Sequence, residues 1–134
     1  MQLTIHRGTE EFGGSCIELQ TKEARILIDF GFPLRGDHPL DDVETKSMEH
    51  LKKDKLIPDI KGLYENPSFD GILISHPHPD HYGLLPLVDK SIPLYMSEGT
   101  KTMIETTYFF RYPKRRLHKV KIISAWEKFK IKIN

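Results

Sequence analysis

Cysteine is almost absent from this sequence: Cys16 stands alone among 134 residues. One cysteine excludes an internal disulfide and a cysteine-rich zinc knuckle. Within Gly13-Gly14-Ser15-Cys16-Ile17-Glu18-Leu19 it opens a strand-like run. A small buried apolar residue is the favoured reading there, ahead of a reactive thiol. Long apolar runs are also missing. None approaches the ~18 residues that a membrane span needs. The start, Met1-Gln2-Leu3-Thr4-Ile5-His6, lacks the basic-then-apolar layout of a signal peptide. The expectation is a cytoplasmic globular domain with no membrane association. Internal repeats and low-complexity tracts are absent too.

Charge nearly cancels overall, at +1, but it is unevenly spread. Residues 108–134 hold nine Lys/Arg against Glu127 alone, a net +8. Residues 1–107 hold eleven Lys/Arg against eighteen Asp/Glu, a net −7. A basic tail of this kind suits phosphate. In Lys119-Val120-Lys121-Ile122 and Lys128-Phe129-Lys130-Ile131-Lys132-Ile133, however, lysines alternate with apolar residues. That pattern favours two one-sided strands with a solvated face.

Strand signals dominate the first thirty residues. Leu3–His6 and Cys16–Gln20 alternate, and Ala24–Ile28 follows after a polar turn at Thr21-Lys22-Glu23, which predicts an antiparallel meander. Gly31, just after Asp29-Phe30, would permit a sharp exit. Residues 32–69 contain Pro33, Pro39, Pro58 and Pro67 and many charges. They read as a long excursion with one helix at about Val43–Lys53 and apolar anchors near Ile57–Tyr64. The apolar run Phe69–Ser75 predicts a strand covered on both faces. A short helix over Gly83–Asp89 should follow, then a strand at Pro93–Met96. Ser97 is a suitable N-cap for a helix through about Phe109, with Met103, Ile104 and Thr107 spaced for one buried face.

Between the Phe69–Ser75 strand and its following helix lies His76-Pro77-His78-Pro79-Asp80-His81. Three histidines and an aspartate in six positions form a dense set of nitrogen and oxygen donors. Two imidazoles leaving a strand end can reach one cation, and Asp80 with His81 can serve a second. Two adjacent metals can share a hydroxide and hold both sides of a bond being cut. Pro77 and Pro79 restrict the loop backbone, which lowers the entropy lost on ordering the ligands. His6, His38, His50 and His118 have no comparable setting and read as structural or solvated.

Ser75-His76-Pro77-His78-Pro79-Asp80-His81-Tyr82-Gly83 resembles the signature motif of the metallo-β-lactamase superfamily. With the Gly13–Glu18 and Leu27–Gly31 segments, the chain is similar to the ribonuclease J and β-CASP-like branch of RNA-processing hydrolases. The resemblance implies an α+β fold, the N-terminal half of an αββα sandwich, with residues 1–134 as one partial domain. It implies His76, His78, Asp80 and His81 as metal ligands, with Asp80 also catalytic by orienting a nucleophile or accepting its proton. Asp29 matches an earlier aspartate that steadies such a site through hydrogen bonds. The implied cofactor is one or two zinc ions, with manganese or iron as alternatives.

The family's remaining ligands, a histidine, a bridging aspartate and a last histidine, lie well downstream of the motif. Beyond His81 this sequence offers only Asp89 and His118, neither in a matching position. A half-sandwich would also leave one apolar sheet face open. A homo-oligomer or a partner carrying the second half would cover it. Three functions follow as alternatives. One is a metal-dependent hydrolase portion acting on RNA phosphodiesters, inactive alone. Another is a non-catalytic remnant or assembly module with a residual metal site. The third is an RNA-binding module that uses the tail alone.

Overall fold

The computed structural model describes residues 1–34 and 40–131, without the side chains of residues 40–42. Six strands form one sheet in sequence order: β1 (Gln2–Arg7), β2 (Cys16–Gln20), β3 (Arg25–Ile28), β4 (Gly71–Leu73), β5 (Leu94–Met96) and β6 (Val120–Ile122). The first three are the expected antiparallel meander, with Ile5 opposite Ile17 and Ile17 opposite Ile28. The β2–β3 turn closes locally, because Thr21 Oγ1 accepts from the Glu23 and Ala24 amides. From β3 onward the pairing is parallel.

Strand alternation sorts the side chains. Cys16, Leu27, Ile72, Leu94 and Met96 lie on one face and are at most 4% exposed. They pack against Phe30, Leu51, Leu56, Leu63, Leu84, Ile104 and Tyr108, which make up one core. The opposite face is equally apolar but only partly covered. Ile17, Leu19, Ile26, Ile28 and Leu73 are half-buried, whereas Leu3 and Ile5 are 58% and 50% exposed. The expectation that Phe69–Ser75 is covered on both faces therefore holds in full only for the core side. Near β5, Phe129 stacks on Tyr95 with ring centroids 5.8 Å apart. Residues 128–131 are thus a partial cover over that face, not the second tail strand expected from the lysine alternation. The rest of that expected strand lies outside the described residues. Phe129 stays 43% exposed there, so the segment meets Tyr95 through one ring contact without ladder pairing.

The helices depart from expectation at their ends, for local reasons. The helix expected at about Val43–Lys53 is split into a 3-10 segment, Leu40–Thr45, and α1 (Met48–Lys53). Ser47 makes the break, because its side chain accepts from the His50 amide and caps α1. The helix expected over Gly83–Asp89 instead starts inside the histidine segment as α2 (Pro79–Tyr82), followed by a 3-10 turn at Leu85–Leu87. Pro79 occupies the first helical position, where its fixed φ and missing N–H suit helix initiation. Helix α3 (Glu98–Arg111) begins as expected, with Ser97 accepting from the Thr100 amide at 3.1 Å. Its buried stripe is Thr100, Ile104 and Tyr108, one residue per turn; Met103 is 58% exposed. No helix among the described residues is long and apolar enough to cross a membrane.

Candidate metal centre

The donor-rich segment leaves the C-terminal end of β4, where Ile74 is 2% exposed and anchors the strand exit. It turns at once into α2, so His76 to His81 gather at one sheet edge. The His76 ring centroid lies 4.8 Å from that of His78 and 3.8 Å from that of His81. Asp80 Oδ2 is 3.3 Å from His81 Nε2. The Asp80 and His81 side chains are 24% and 22% exposed, open enough for an incoming group to reach them.

Asp29 holds this arrangement from beneath. It is 4% exposed and adopts a left-handed backbone conformation with φ of 59° just after β3. Its Oδ1 accepts from the Ser75 amide at 2.7 Å, and its Oδ2 accepts from the Ser75 hydroxyl at 2.8 Å. The same Oδ2 lies 2.7 Å from His81 Nδ1. When Nδ1 carries the proton, Nε2 is left as a lone-pair donor on the Asp80 side. Ser75 Oγ also lies 3.0 Å from His76 Nδ1. One buried carboxylate and one serine thereby orient two of the three histidines.

The backbone is pinned as firmly. The Ser15 amide donates to the Asp80 carbonyl at 3.1 Å, the Phe30 amide to the His81 carbonyl at 2.8 Å, and the Phe32 amide to the Pro79 carbonyl at 3.1 Å. Gly31 is needed for close approach rather than for a left-handed turn. A Cβ there would sit 1.5 Å from the Asp80 carbonyl oxygen. Gly13 approaches from the other side, where an added Cβ would meet the Asp80 Cβ at 2.8 Å. A groove beside Asp80 and His81 is floored by Ile5 and Ile17 and walled by Gly13 and Ser15, so the open sheet face leads directly to the histidines.

The donor types suit a first-row divalent cation: imidazole nitrogens and carboxylate oxygens, partly exposed, with one ring oriented from behind. Among the described residues, however, no three His, Cys, Asp or Glu side chains converge as a ligand group.

The other candidates separate cleanly. Cys16 is 1% exposed, and burial pushes its thiol up to about 12, so it is a core residue without nucleophilic character. His6 pairs with Glu18 at 2.8 Å and His50 with Asp54 at 3.0 Å, both as structural contacts. His118 is exposed beside Lys114 and Leu117, and His38 lies outside the described residues. Asp89 accepts from the Ser91 amide and hydroxyl in a turn. Sequence reasoning missed Ser75, Ser15 and Gly13 as parts of the site. Ser75 was signalled by its position directly before His76; Ser15 acts through its backbone and left no signal.

Known proteins match this chain consistently. The family model for the beta-lactamase superfamily domain matches residues 24–134. Transcription termination factor FttA of Methanosarcina mazei is 31% identical over 107 residues, covering 78% of this chain and 15% of that protein. Probable RNase MJ4 of Methanocaldococcus jannaschii is 30% identical over 108 residues, covering 78% of this chain and 21% of its own length. Ribonuclease J of Helicobacter pylori is 32% identical over 100 residues, covering 71% of this chain and 13% of that enzyme. The chain thus spans about a fifth or less of these relatives. The crystal structure of a protein of unknown function from Enterococcus faecalis V583 superposes with a TM-score of 0.77 at 24% identity, over 97% of this chain and 35% of that one. The half-sandwich fold, the matched family model and these relatives agree that the chain belongs to the metallo-β-lactamase superfamily, in its ribonuclease J-like branch.

Proposed function

We propose that this chain is the N-terminal portion of a metal-dependent hydrolase that acts on RNA phosphodiesters, and that it is inactive alone. The single observation that carries the reading is the Asp29 carboxylate joined to both Ser75 and His81. A buried acid aimed at the far nitrogen of an exposed histidine is the arrangement that orients a metal-ligating imidazole. His76, His78, Asp80 and His81 would hold the metal, with Asp29 behind them. Zinc fits these donors, and manganese or iron are alternatives. When bound, such a cation would supply Lewis-acid stabilisation of developing negative charge on a phosphoryl oxygen. Within this chain, Asp80 would orient a nucleophile or accept its proton, and Pro77 and Pro79 would keep the ligands in place. RNA as substrate is supported by relatives named as ribonucleases.

The missing donors would come from the rest of the domain, from a partner or from a second copy of the chain, seated on the open sheet face. The lack of three convergent donors among the described residues favours a second reading for the isolated chain: an assembly or binding module with a residual metal site. Metal analysis after dialysis, with an RNA cleavage assay, separates the two from a self-sufficient enzyme. Weak zinc binding that depends on His76 and His78, without turnover, supports the proposal. Tight binding of two equivalents with RNA hydrolysis contradicts the claim of inactivity. No metal binding at all contradicts the metal site that both readings share.

A further inference from the structure

The C-terminal end of α3 and the loop after it bring exposed aromatic and cationic side chains together. Phe109 and Phe110 are 72% and 80% exposed, and their rings meet edge to face with centroids 5.0 Å apart. Arg111, Lys114 and Arg116 are exposed beside them. A groove of about 410 Å³ runs between Phe109 and the Pro113–Leu117 loop. A second depression, on the other side of Arg115, Arg116 and Leu117, is edged by Lys90, Lys114 and His118. The two share that loop as a common ridge, giving a track from Phe109 to Lys114; Phe110 and Arg111 follow Phe109 on α3 outside both depressions, and Glu44 and Asp89 also line the second one.

The loop is built to keep its shape. Arg115 is 7% exposed; its Nε donates to Glu44 Oε2 at 2.9 Å, and its guanidinium sits 3.9 Å from the Tyr112 ring centroid. Arg116 Nη1 donates to the Pro113 and Arg115 carbonyls, which leaves the rest of its guanidinium facing outward. Glu105, the acid lining the groove, is paired with Lys101 at 3.6 Å.

Two exposed rings side by side cost solubility unless something flat covers them. Cations alone would suit any polyanion, but cations interleaved with exposed aromatics suit unpaired bases on a phosphate backbone. We propose that this track docks single-stranded RNA, with Phe109 and Phe110 stacking bases and Arg111, Lys114 and Arg116 taking phosphates. It is separate from the histidine site. Residues 89–94 lead into the N-terminal end of β5, whereas the histidines leave the C-terminal end of the parallel strand β4. The track therefore deepens the RNA reading without depending on metal.

The test is fluorescence anisotropy of a 5′-labelled oligouridine with the full chain, across a salt series. The wild-type chain binds, and log affinity falls with log salt by about 0.7 for each phosphate neutralised. Phe109→Ala with Phe110→Ala weakens binding roughly tenfold or more while leaving the salt slope unchanged. Arg111→Ala, Lys114→Ala and Arg116→Ala together flatten the slope by about two. Adding EDTA to the wild-type chain changes neither, because the track takes no metal. The side chains of Phe109, Phe110, Arg111, Lys114 and Arg116 are exposed, and circular dichroism checks that each variant is folded. Wild-type affinity in the Phe109/Phe110 variant overturns the proposal. So does failure of the wild-type chain to bind at low salt, which would leave the exposed rings to a protein partner.

Discussion

Asp29 and His81, 52 positions apart in sequence, meet at 2.7 Å between Oδ2 and Nδ1. The contact ties the exit of β3 to the turn after β4. Two adjacent parallel strands thus deliver a buried acid and an exposed donor to the same edge. Asn in place of Asp29 could still accept from the Ser75 amide, but its side-chain nitrogen cannot accept from His81 Nδ1. Asp29→Asn should lower metal affinity about 10- to 100-fold while leaving the fold intact. Zinc competition with a chromophoric chelator reads the affinity, and thermal melting reads the fold. Unchanged affinity would remove Asp29 from the site.

Gly31→Ala should be among the most damaging small substitutions in the chain. The new Cβ would collide with the Asp80 carbonyl, which is backbone and is itself held by the Ser15 amide. The expected loss is about 3 kcal/mol, at the upper end for overpacking. Gly99→Ala is the matched control. Its nearest neighbour, Ser97 Oγ, is 4.0 Å from the added Cβ, and α3 already encloses the position. That variant should lie within about 0.5 kcal/mol of the parent or gain slightly. Urea denaturation of the pair checks the contrast.

Much of this was legible in the sequence because it rests on short-range pattern. The meander follows from alternation and turns, α3 from Ser97 and its apolar spacing, and the proximity of His76, His78, Asp80 and His81 from their spacing. What was not legible depends on contacts distant in sequence. Gly31 reads as a turn glycine, yet its function is to let Asp80 approach, and the left-handed residue is Asp29 instead. The tail lysines read as a strand, yet Phe129 found Tyr95. Only the tertiary arrangement decides which partner a half-apolar segment meets.

Stability should fall at both ends of the pH scale through two buried groups. Burial pushes the Cys16 thiol from 9.0 up to about 12. The unfolded chain therefore releases this proton first, and stability from Cys16 is complete below pH 9.0 and declines as pH rises towards about 12. Burial also raises the Glu18 carboxyl, but hydrogen bonds from Arg25 and His6 outweigh it and hold the group below its ordinary value. Its contribution is present above the ordinary carboxylate range and is lost as pH falls through the depressed value. Cys16→Ala should flatten the alkaline decline, and Glu18→Gln the acid one, in melting curves taken across pH.

The open apolar face should drive association. Leu3 and Ile5 are half or more exposed on a sheet face that is otherwise apolar. At micromolar concentration the chain should sediment as a dimer or larger species. Ile5→Lys should return it to a monomer with native circular dichroism, since the β1 edge adds little to the core. A wild-type chain that sediments as a stable monomer would count against a second copy as the cover for this face.

The most direct test of the central claim is zinc titration by calorimetry on the wild-type chain and on His76→Ala with His78→Ala, with RNA cleavage followed in the same samples. The account predicts one weakly held equivalent, abolished by the double substitution, and no cleavage. Two tightly held equivalents with RNA cleavage, or zinc binding indifferent to His76 and His78, would contradict it.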